Sequence, residues 1–323
     1  MSTLVLSPTT SKFEVNVFAQ PLLIQEILGC PMPAWMEPLK SKRIFFIGIG
    51  TSYYAAQIAK CLWQQFVSAD CQAIHSYDFV REPQPIQSGE VAVLFSHTGL
   101  KSFTLDAARL ASQKGIVTIG ITCKNSPWKD GLTYHLETCE RENIGAFTKS
   151  LTSALAWIIR WINAPGLTKD ILRARDQLKE GPVFPQVTRA TDLILVGNLV
   201  GEWVAREIAL KLQEAAYVKA RAFGLEEFLH GPRISADKHS IVVAFPTPTE
   251  PRWNVCRAYL KTIRVPILEV TNKPSQPPGT WWLRQLFWGQ RLTLDVCRQL
   301  GANPDTNRTD DPLYKEARET LRL

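Results

Sequence analysis

No apolar run in this sequence approaches the ~20 residues that a membrane-spanning helix requires. The most apolar stretch, Leu151–Ile162, is short and interrupted by Arg160, so it predicts a buried helix. Met1–Phe18 shows no charged segment followed by a long apolar one, and a cytoplasmic protein is expected. The 7 cysteines are scattered without repeated spacing, which excludes a disulfide scaffold. Cys123 ends an apolar run with no histidine nearby, and Met1 rather than a cysteine opens the chain, so thiol catalysis is not expected. The 5 histidines (His75, His97, His135, His230 and His239) lie too far apart to share a metal-ligand spacing, and no metal is expected. Nucleotide loops are missing too. G-x-G-x-x-G fails because Gly48 and Gly50 are followed by Tyr53, and no G-x-x-x-x-G-K-[ST] occurs. Basic residues are not blocked together: Lys40–Arg43 runs straight into an apolar strand, and no helix-turn-helix pattern precedes it. Nucleic acid is therefore not an expected partner. Lys plus Arg is 37 against 30 for Asp plus Glu, a mild +7 excess that suits an anionic small substrate.

What the sequence does contain is a folded two-domain composition. With 323 residues, 45% hydrophobic and 21% charged, it is long enough for two domains of about 150 residues. Continuously apolar runs alternate with amphipathic ones. Arg43–Gly50, Val91–Ser96 and Ile116–Thr122 read as strands, with helices predicted over Tyr53–Phe66 and Phe103–Lys114. The second half repeats the pattern: strands at Asp192–Gly197, Ser240–Phe245 and Arg264–Thr271, helices at Glu202–Tyr217 and Leu286–Leu300. Strands apolar on both faces and separated by helices predict a parallel sheet. The economical account is a duplicated five-stranded doubly wound α/β unit. Between the halves, Pro165-Gly166, a charged helical piece over Lys169–Lys179 and Gly181–Pro185 place a boundary near 180–190. The expected division is a helical leader over 1–34, a first domain over 35–185 and a second over 186–323 that ends in a helix-like tail, Pro312–Leu323.

Ligands of open parallel sheets bind beyond the carboxyl ends of the strands, where helix N-termini present free N–H groups. Gly50, Thr51 and Ser52 fall there after the first strand; Ser96, His97, Thr98 and Lys101 fall there after the next. Hydroxyls, amides and a lysine at helix starts suit a phosphate monoester. The same residue types also cap helices and turns in any protein, and on composition both readings stand. A second concentration is Glu214–Pro232, where Glu214 and His230 are a carboxylate and an imidazole suited to proton transfer near neutral pH, or else a surface glutamate and a loop histidine.

Taken together, these motifs resemble the two-domain sugar isomerase (SIS) family, and within it the isomerase half of the glutamine–fructose-6-phosphate aminotransferases. The family's strand, Gly-Thr-Ser turn and helix resemble Gly50-Thr51-Ser52-Tyr53-Tyr54. Its Ser-Gln-Ser-Gly-Glu-Thr segment is similar to Ser96-His97-Thr98-Gly99-Leu100-Lys101, and its Ser-Thr-Lys segment to Phe147-Thr148-Lys149. Ala-Leu-Lys-Leu-Lys-Glu matches Ala209–Glu214, and Gly-Glu-Leu-Lys-His-Gly-Pro matches Glu226–Pro232. The leader's Gln20-Pro21 fits as well. The resemblance implies two tandem flavodoxin-like three-layer sandwiches. It implies an aldose–ketose isomerase acting on a hexose 6-phosphate through an enediol, without metal or other cofactor. Glu214 would move the proton between C1 and C2, and His230 would assist ring opening in a neighbouring subunit's site, hence a homodimer. Gly50, Thr51, Ser52, Ser96, His97, Thr98, Lys101 and Thr148 would hold the phosphorylated sugar. A tail lysine forms a Schiff base in the synthases, and Lys315 is the candidate here, with a solvent-exposed lysine as the alternative. The family also holds amino-sugar phosphate deaminases, deglycases and non-catalytic phosphosugar sensors. Ammonia would come from elsewhere, because no glutaminase segment precedes the first domain. Departures from the family pattern concentrate at His97, Thr98, Leu100, Lys101 and Phe147; they predict a shifted substrate, with Phe147 narrowing the sugar pocket.

Overall fold

The computed structural model describes residues 10–67, 69–82, 85–163, 185–270 and 281–321, with positions 174 and 178. Most of the expected Lys169–Lys179 helix, the 181–184 turn and Thr271 lie outside them. The first sheet consists of β1 (Ile44–Gly48), β2 (Cys71–His75), β3 (Val91–Phe95), β4 (Val117–Thr122) and β5 (Tyr134–Glu137). Its order is β2-β1-β3-β4-β5, and every pairing is parallel. The second sheet consists of β6 (Asp192–Gly197), β7 (Ala220–Gly224), β8 (Ser240–Phe245) and β9 (Ile267–Glu269), in the order β7-β6-β8-β9, also parallel. These are two parallel-sheet α/β units in tandem.

Helices α1 (Lys12–Gly29), α2 (Met36–Leu39), α3 (Thr51–Phe66), α4 (Ser76–Arg81), α5 (Ser102–Gln113) and α6 (Lys149–Ile162) accompany the first sheet. The second carries α7 (Val200–Lys211), α8 (Leu225–Leu229), α9 (Pro251–Thr262), α10 (Trp281–Leu300) and α11 (Pro312–Glu319). Alternation along the strands assigns their faces. Phe46 and Phe95 pack inward with α3 and α6, whereas Phe45, Ala92 and Leu94 pack outward with α5. In the second sheet Leu195 and Val243 face inward to α7, and Ile194 and Val242 face outward to α9. The two inward faces share one core, made by α1, α3, α6, α7 and α10. That is why α6 is buried along almost its whole length and the Leu151–Ile162 run is so apolar. A polar thread crosses this core: Thr152 Oγ1 donates to Gln20 Oε1 (3.0 Å), and Gln20 Nε2 donates to Gln290 Oε1 (2.6 Å). The leader helix is thereby tied to both halves rather than to one.

Three strands escaped the sequence reading. Cys71–His75, Tyr134–Glu137 and Ala220–Gly224 are edge or near-edge strands, half exposed and polar, so they lack the continuous apolar signal of the central ones. The second sheet shows four strands among the described residues, not five, and the Arg264–Thr271 strand is shorter than expected. Pro266 removes an N–H donor just before β9 begins. The long helix after β6 changes pitch at its end, where Leu212–Ala216 is a π-helical turn.

The duplication is visible in the backbone. After β1 and after β6 the chain turns so tightly that a Cβ on Gly48 or Gly197 would strike the carbonyl of Ser52 or Gly201, at 2.3 and 2.2 Å. The residue preceding each helix then adopts the same rare conformation: Gly50 at φ 59°, ψ −131° and Leu199 at φ 51°, ψ −127°. Glycine takes this conformation freely, but leucine does not, and Leu199 is 71% exposed, so packing offers little return. Leu199→Gly is expected to raise stability by about 1 kcal/mol in chemical denaturation; a loss of stability would mean that the side chain is buried against something in solution.

Candidate active site

Strand order reverses between β1 and β3 in the first sheet, and the crevice at that switch point is where a ligand fits an open α/β sheet. There the turn before α3 meets the loop before α5. Thr51, Ser52, Ser96, His97, Phe147 and Ser150 line a cavity of about 20 Å³, little more than the space of one water. Two of its polar atoms lack partners although both residues are buried: Ser96 Oγ and His97 Nδ1. Buried donors of this kind are rarely left unsatisfied in folded proteins.

His97 is held as a neutral ring. Its Nε2 accepts the Glu142 backbone N–H at 2.8 Å, so the proton sits on Nδ1 and that nitrogen is a donor. Burial pushes its pKa down to about 4; the Glu142 carboxylate opposes this, while Lys149 and Arg141 add to it. Phe147 meets the imidazole edge-on at 4.8 Å and so closes one side of the cavity with an aromatic wall. Glu142 itself caps α6, accepting from the N–H groups of Thr148 (3.1 Å) and Ser150 (2.9 Å) and from the Thr148 hydroxyl (3.4 Å). Thr148 is thus turned to Glu142, and Ser150 is the hydroxyl residue of this segment that lines the cavity.

Across the domain junction, Thr51 makes the decisive contact. Lys211 Nζ donates to Thr51 Oγ1 at 3.0 Å and to Glu214 Oε2 at 2.6 Å. Lys211 is fully buried, and Glu207 lies 3.6 Å away on its other side. Burial alone would lower the lysine's pKa, but Glu207 and Glu214 together hold it above the ordinary value. Glu214 remains partly open to solvent, with 28% of its side chain exposed. A carboxylate with one accessible face, fixed by an ammonium, is suited to taking a proton from carbon. Lys211 and Glu207 were missed as site residues, although Lys211 stands three positions before Glu214 and so shares its helix face.

The other expected residues are placed as follows. Gly50 shapes the turn before α3. Thr98 accepts the Leu100 N–H at 3.3 Å, and Lys101 is the exposed residue just before α5. Neither lines the cavity. His230 ends α8 with its ring 77% exposed, 3.3 Å from Glu226; within this chain it is not brought to Glu214. Lys315 lies on α11, which has no buried side chain. The loop before α11 does approach the site. Tyr217, just after Glu214, donates its hydroxyl to Asn303 O (2.6 Å) and accepts from Arg308 N (3.0 Å). Asn307 lies so close over Gly145 that no Cβ would fit there.

The switch point of the second sheet is closed by its own side chains. Asn198 donates to Glu250 (2.7 Å) and accepts from Thr247 N (2.8 Å). The neighbouring hollow of about 320 Å³ presents Glu250 and Glu269, and its Arg257 is already paired with Glu269 at 3.0 Å. It therefore disfavours an anion. Among the described residues no group of three or more His, Cys, Asp and Glu is placed to hold a metal ion, and no helix is long and apolar enough to cross a membrane.

In the folded chain His97 stays neutral down to about 4, whereas in the unfolded chain it takes a proton near 6.5. Acid therefore favours unfolding across that window, by up to about 3 kcal/mol. In denaturation measured between these two pH values, His97→Gln should lose that part of the slope; an unchanged slope would show that the ring is solvated.

Comparison with known proteins places this geometry. Residues 39–159 match the SIS domain family. Glutamine–fructose-6-phosphate aminotransferase of Aquifex aeolicus is 25% identical over 249 residues, covering 71% of this chain and 42% of its own length. The chain thus spans less than half the length of the relatives it matches. Tagatose-6-phosphate ketose/aldose isomerase of Escherichia coli superposes with a TM-score of 0.78 at 20% identity, covering 94% of this chain and 98% of that one. Glucosamine-6-phosphate deaminase of Thermotoga maritima gives 0.76 at 20% identity, covering 92% and 97%. The switch-point cradle lies in the segment that matches the SIS domain family, and the chain resembles the isomerase domain of glutamine–fructose-6-phosphate aminotransferase in sequence and shares the fold of phosphosugar isomerases.

Proposed function

We propose that this protein is a phosphosugar isomerase that interconverts an aldose and a ketose hexose 6-phosphate through an enediol. One observation carries the reading: Thr51, in the wall of the cradle, shares the Lys211 ammonium with Glu214. A phosphate held in the cradle therefore lies beside the carboxylate that would move the proton. The cradle offers neutral donors, Ser52, Ser96 and the His97 Nδ1–H, together with the N–H groups at the starts of α3 and α5. Lys101 at the rim would add charge, and Gly50, Thr98 and Thr148 would shape the loops around it.

In this reading Glu214 takes a proton from one carbon of the open-chain sugar and returns it to the next. Lys211 stabilises the carboxylate form of Glu214 before transfer. Exposed His230 is read as facing a second copy of the chain, where it would assist ring opening. An amino-sugar phosphate substrate would undergo the same proton shuttle and then lose its amine, a reaction suggested by the name of the deaminase of similar fold.

Glu214→Gln is expected to lower solvent-deuterium incorporation at C1 and C2 of the sugar phosphate by about 10²–10⁴-fold, with ligand affinity retained. A mutant rate equal to wild type would remove Glu214 from the chemistry. Lys101→Ala should weaken binding of the phosphorylated sugar by about two- to fivefold in calorimetry, as suits an exposed charge; an unchanged dissociation constant would place that lysine outside the cradle.

A further inference from the structure

Glu207 is the most unusual buried group in the molecule. It sits on α7 with no exposed surface, and neither carboxylate oxygen has a hydrogen-bond partner at ordinary distance. A buried carboxylate in that condition is costly unless it is protonated or serves a charge beside it. The charge is there, because Lys211 Nζ lies 3.6 Å from it, one turn along the helix, and is itself buried between Glu207 and Glu214. Two carboxylates thus flank one fully buried ammonium, and only Glu214, itself partly open to solvent, bonds to it, at 2.6 Å.

We propose that Glu207 is a positioning residue for this site, a buried carboxylic acid that keeps Lys211 against Glu214 and becomes the ammonium's counter-ion whenever Glu214 holds a proton. The extension to catalysis rests on the isomerase reading. When Glu214 accepts the carbon-bound proton, Lys211 loses its anionic partner while remaining buried. Glu207 then ionises. Its proton replaces one that Lys211 Nζ, 3.6 Å away, hands to the Thr51 hydroxyl at 3.0 Å, and that hydroxyl, in the cavity wall, protonates the enediolate oxygen. One proton moves onto Glu214 and one leaves Glu207, so the carboxylate pair keeps one negative charge throughout; when Glu214 protonates the second carbon, the proton of the other enediol oxygen returns to Glu207.

The surroundings of Glu207 fit this role. Burial raises its pKa to about 8, Lys211 works against that rise, Glu214 adds to it, and the Thr51 hydroxyl opposes it. From α3 the Tyr54 phenol also faces the group, feeling Glu207, Arg206, Lys211 and Glu214. Glu142, before α6, acts on Lys211. Opposite, α10 presents Gly289 against Ile208 and Gln285 against Gly201, both uncharged.

The test is a carboxyl-carbon NMR titration of the full chain labelled at glutamate Cδ, in wild type, Glu207→Gln and Glu214→Gln. Wild type should show one glutamate titrating near 8. That resonance should be missing from Glu207→Gln, whose neutral amide matches the protonated acid and should leave the fold intact. In Glu214→Gln, which mimics the protonated base, the same resonance should titrate at least about one unit lower, because Glu207 is then the only carboxylate beside Lys211. Absence of any glutamate titrating above about 6, or a midpoint unmoved in Glu214→Gln, would overturn the proposal. In deuterium exchange, Glu207→Gln should slow incorporation about tenfold or more without altering ligand affinity, and Glu207→Asp should recover part of it; wild-type rate in Glu207→Gln would overturn the catalytic extension. If wild type exchanges deuterium into no sugar phosphate, the isomerase reading fails and the titration alone decides for or against Glu207.

Discussion

The buried ammonium of Lys211 is the constraint on which this site depends. A lysine side chain with no exposed surface must be surrounded by acceptors, and it finds them in Glu207, Glu214 and the Thr51 hydroxyl. These come from both halves of the molecule. Thr51 opens the first helix of the first sheet, whereas the two carboxylates belong to α7 and the π-helical turn that extends it in the second. The ammonium thus ties the start of α3 to the end of α7 across the shared core, and it sets the Glu214 carboxylate beside the cavity of the first switch point. The π turn belongs to the same arrangement. A wider turn at Leu212–Ala216 carries Glu214 out of the core far enough to stay partly solvated while Lys211 remains inside.

The two sheets share an architecture but not a role. Both have the tight strand-to-helix turn and the same unusual backbone at its apex, as expected of a duplicated unit. In the first, the apex is Gly50 and the crevice beyond it is lined by unsatisfied donors. In the second, the apex is Leu199 and the crevice is closed by Asn198, Thr247 and the Glu250 carboxylate. The unsatisfied donors lie at the first sheet, and the Glu207–Lys211–Glu214 group belongs to the second. The leader helix binds the pair together through the Thr152–Gln20–Gln290 thread, and the tail caps the start of that helix, since Asp305 accepts from the backbone N–H groups of Lys12 (2.8 Å) and Phe13 (2.9 Å).

Much of this was legible in the sequence, for physical reasons. Central strands such as Val91–Phe95 are apolar on both faces because helices cover both, and that signal is strong at any position. Edge strands such as Ala220–Gly224 alternate with arginine and small residues and resemble loops. The cradle could be located because glycines and hydroxyls cluster at strand ends, but which of them face the ligand could not. Thr148 was the candidate on paper; its bond to the Glu142 carboxylate and the place of Ser150 in the cavity wall follow only from the fold. His97 was recognisable as a candidate in the loop after β3, whereas its neutrality and tautomer follow from one backbone N–H that only the fold brings near. Lys211 and Glu207 were hidden in plain helical spacing, since a charged residue in an amphipathic helix ordinarily faces solvent. Nothing in the local sequence announces that this face is covered by α3.

The central claim is that the cradle of the first sheet and the carboxylate of the second act on one substrate molecule. The most direct measurement is proton NMR in deuterated water with the intact chain and a panel of sugars, each offered with and without its 6-phosphate. The account predicts deuterium entering at C1 or C2 of a hexose 6-phosphate and not of the matching free hexose, because the phosphate must occupy the cradle for the carbons to reach Glu214. Equal exchange with and without the phosphate, or phosphate-dependent binding with no exchange in any sugar, would contradict it.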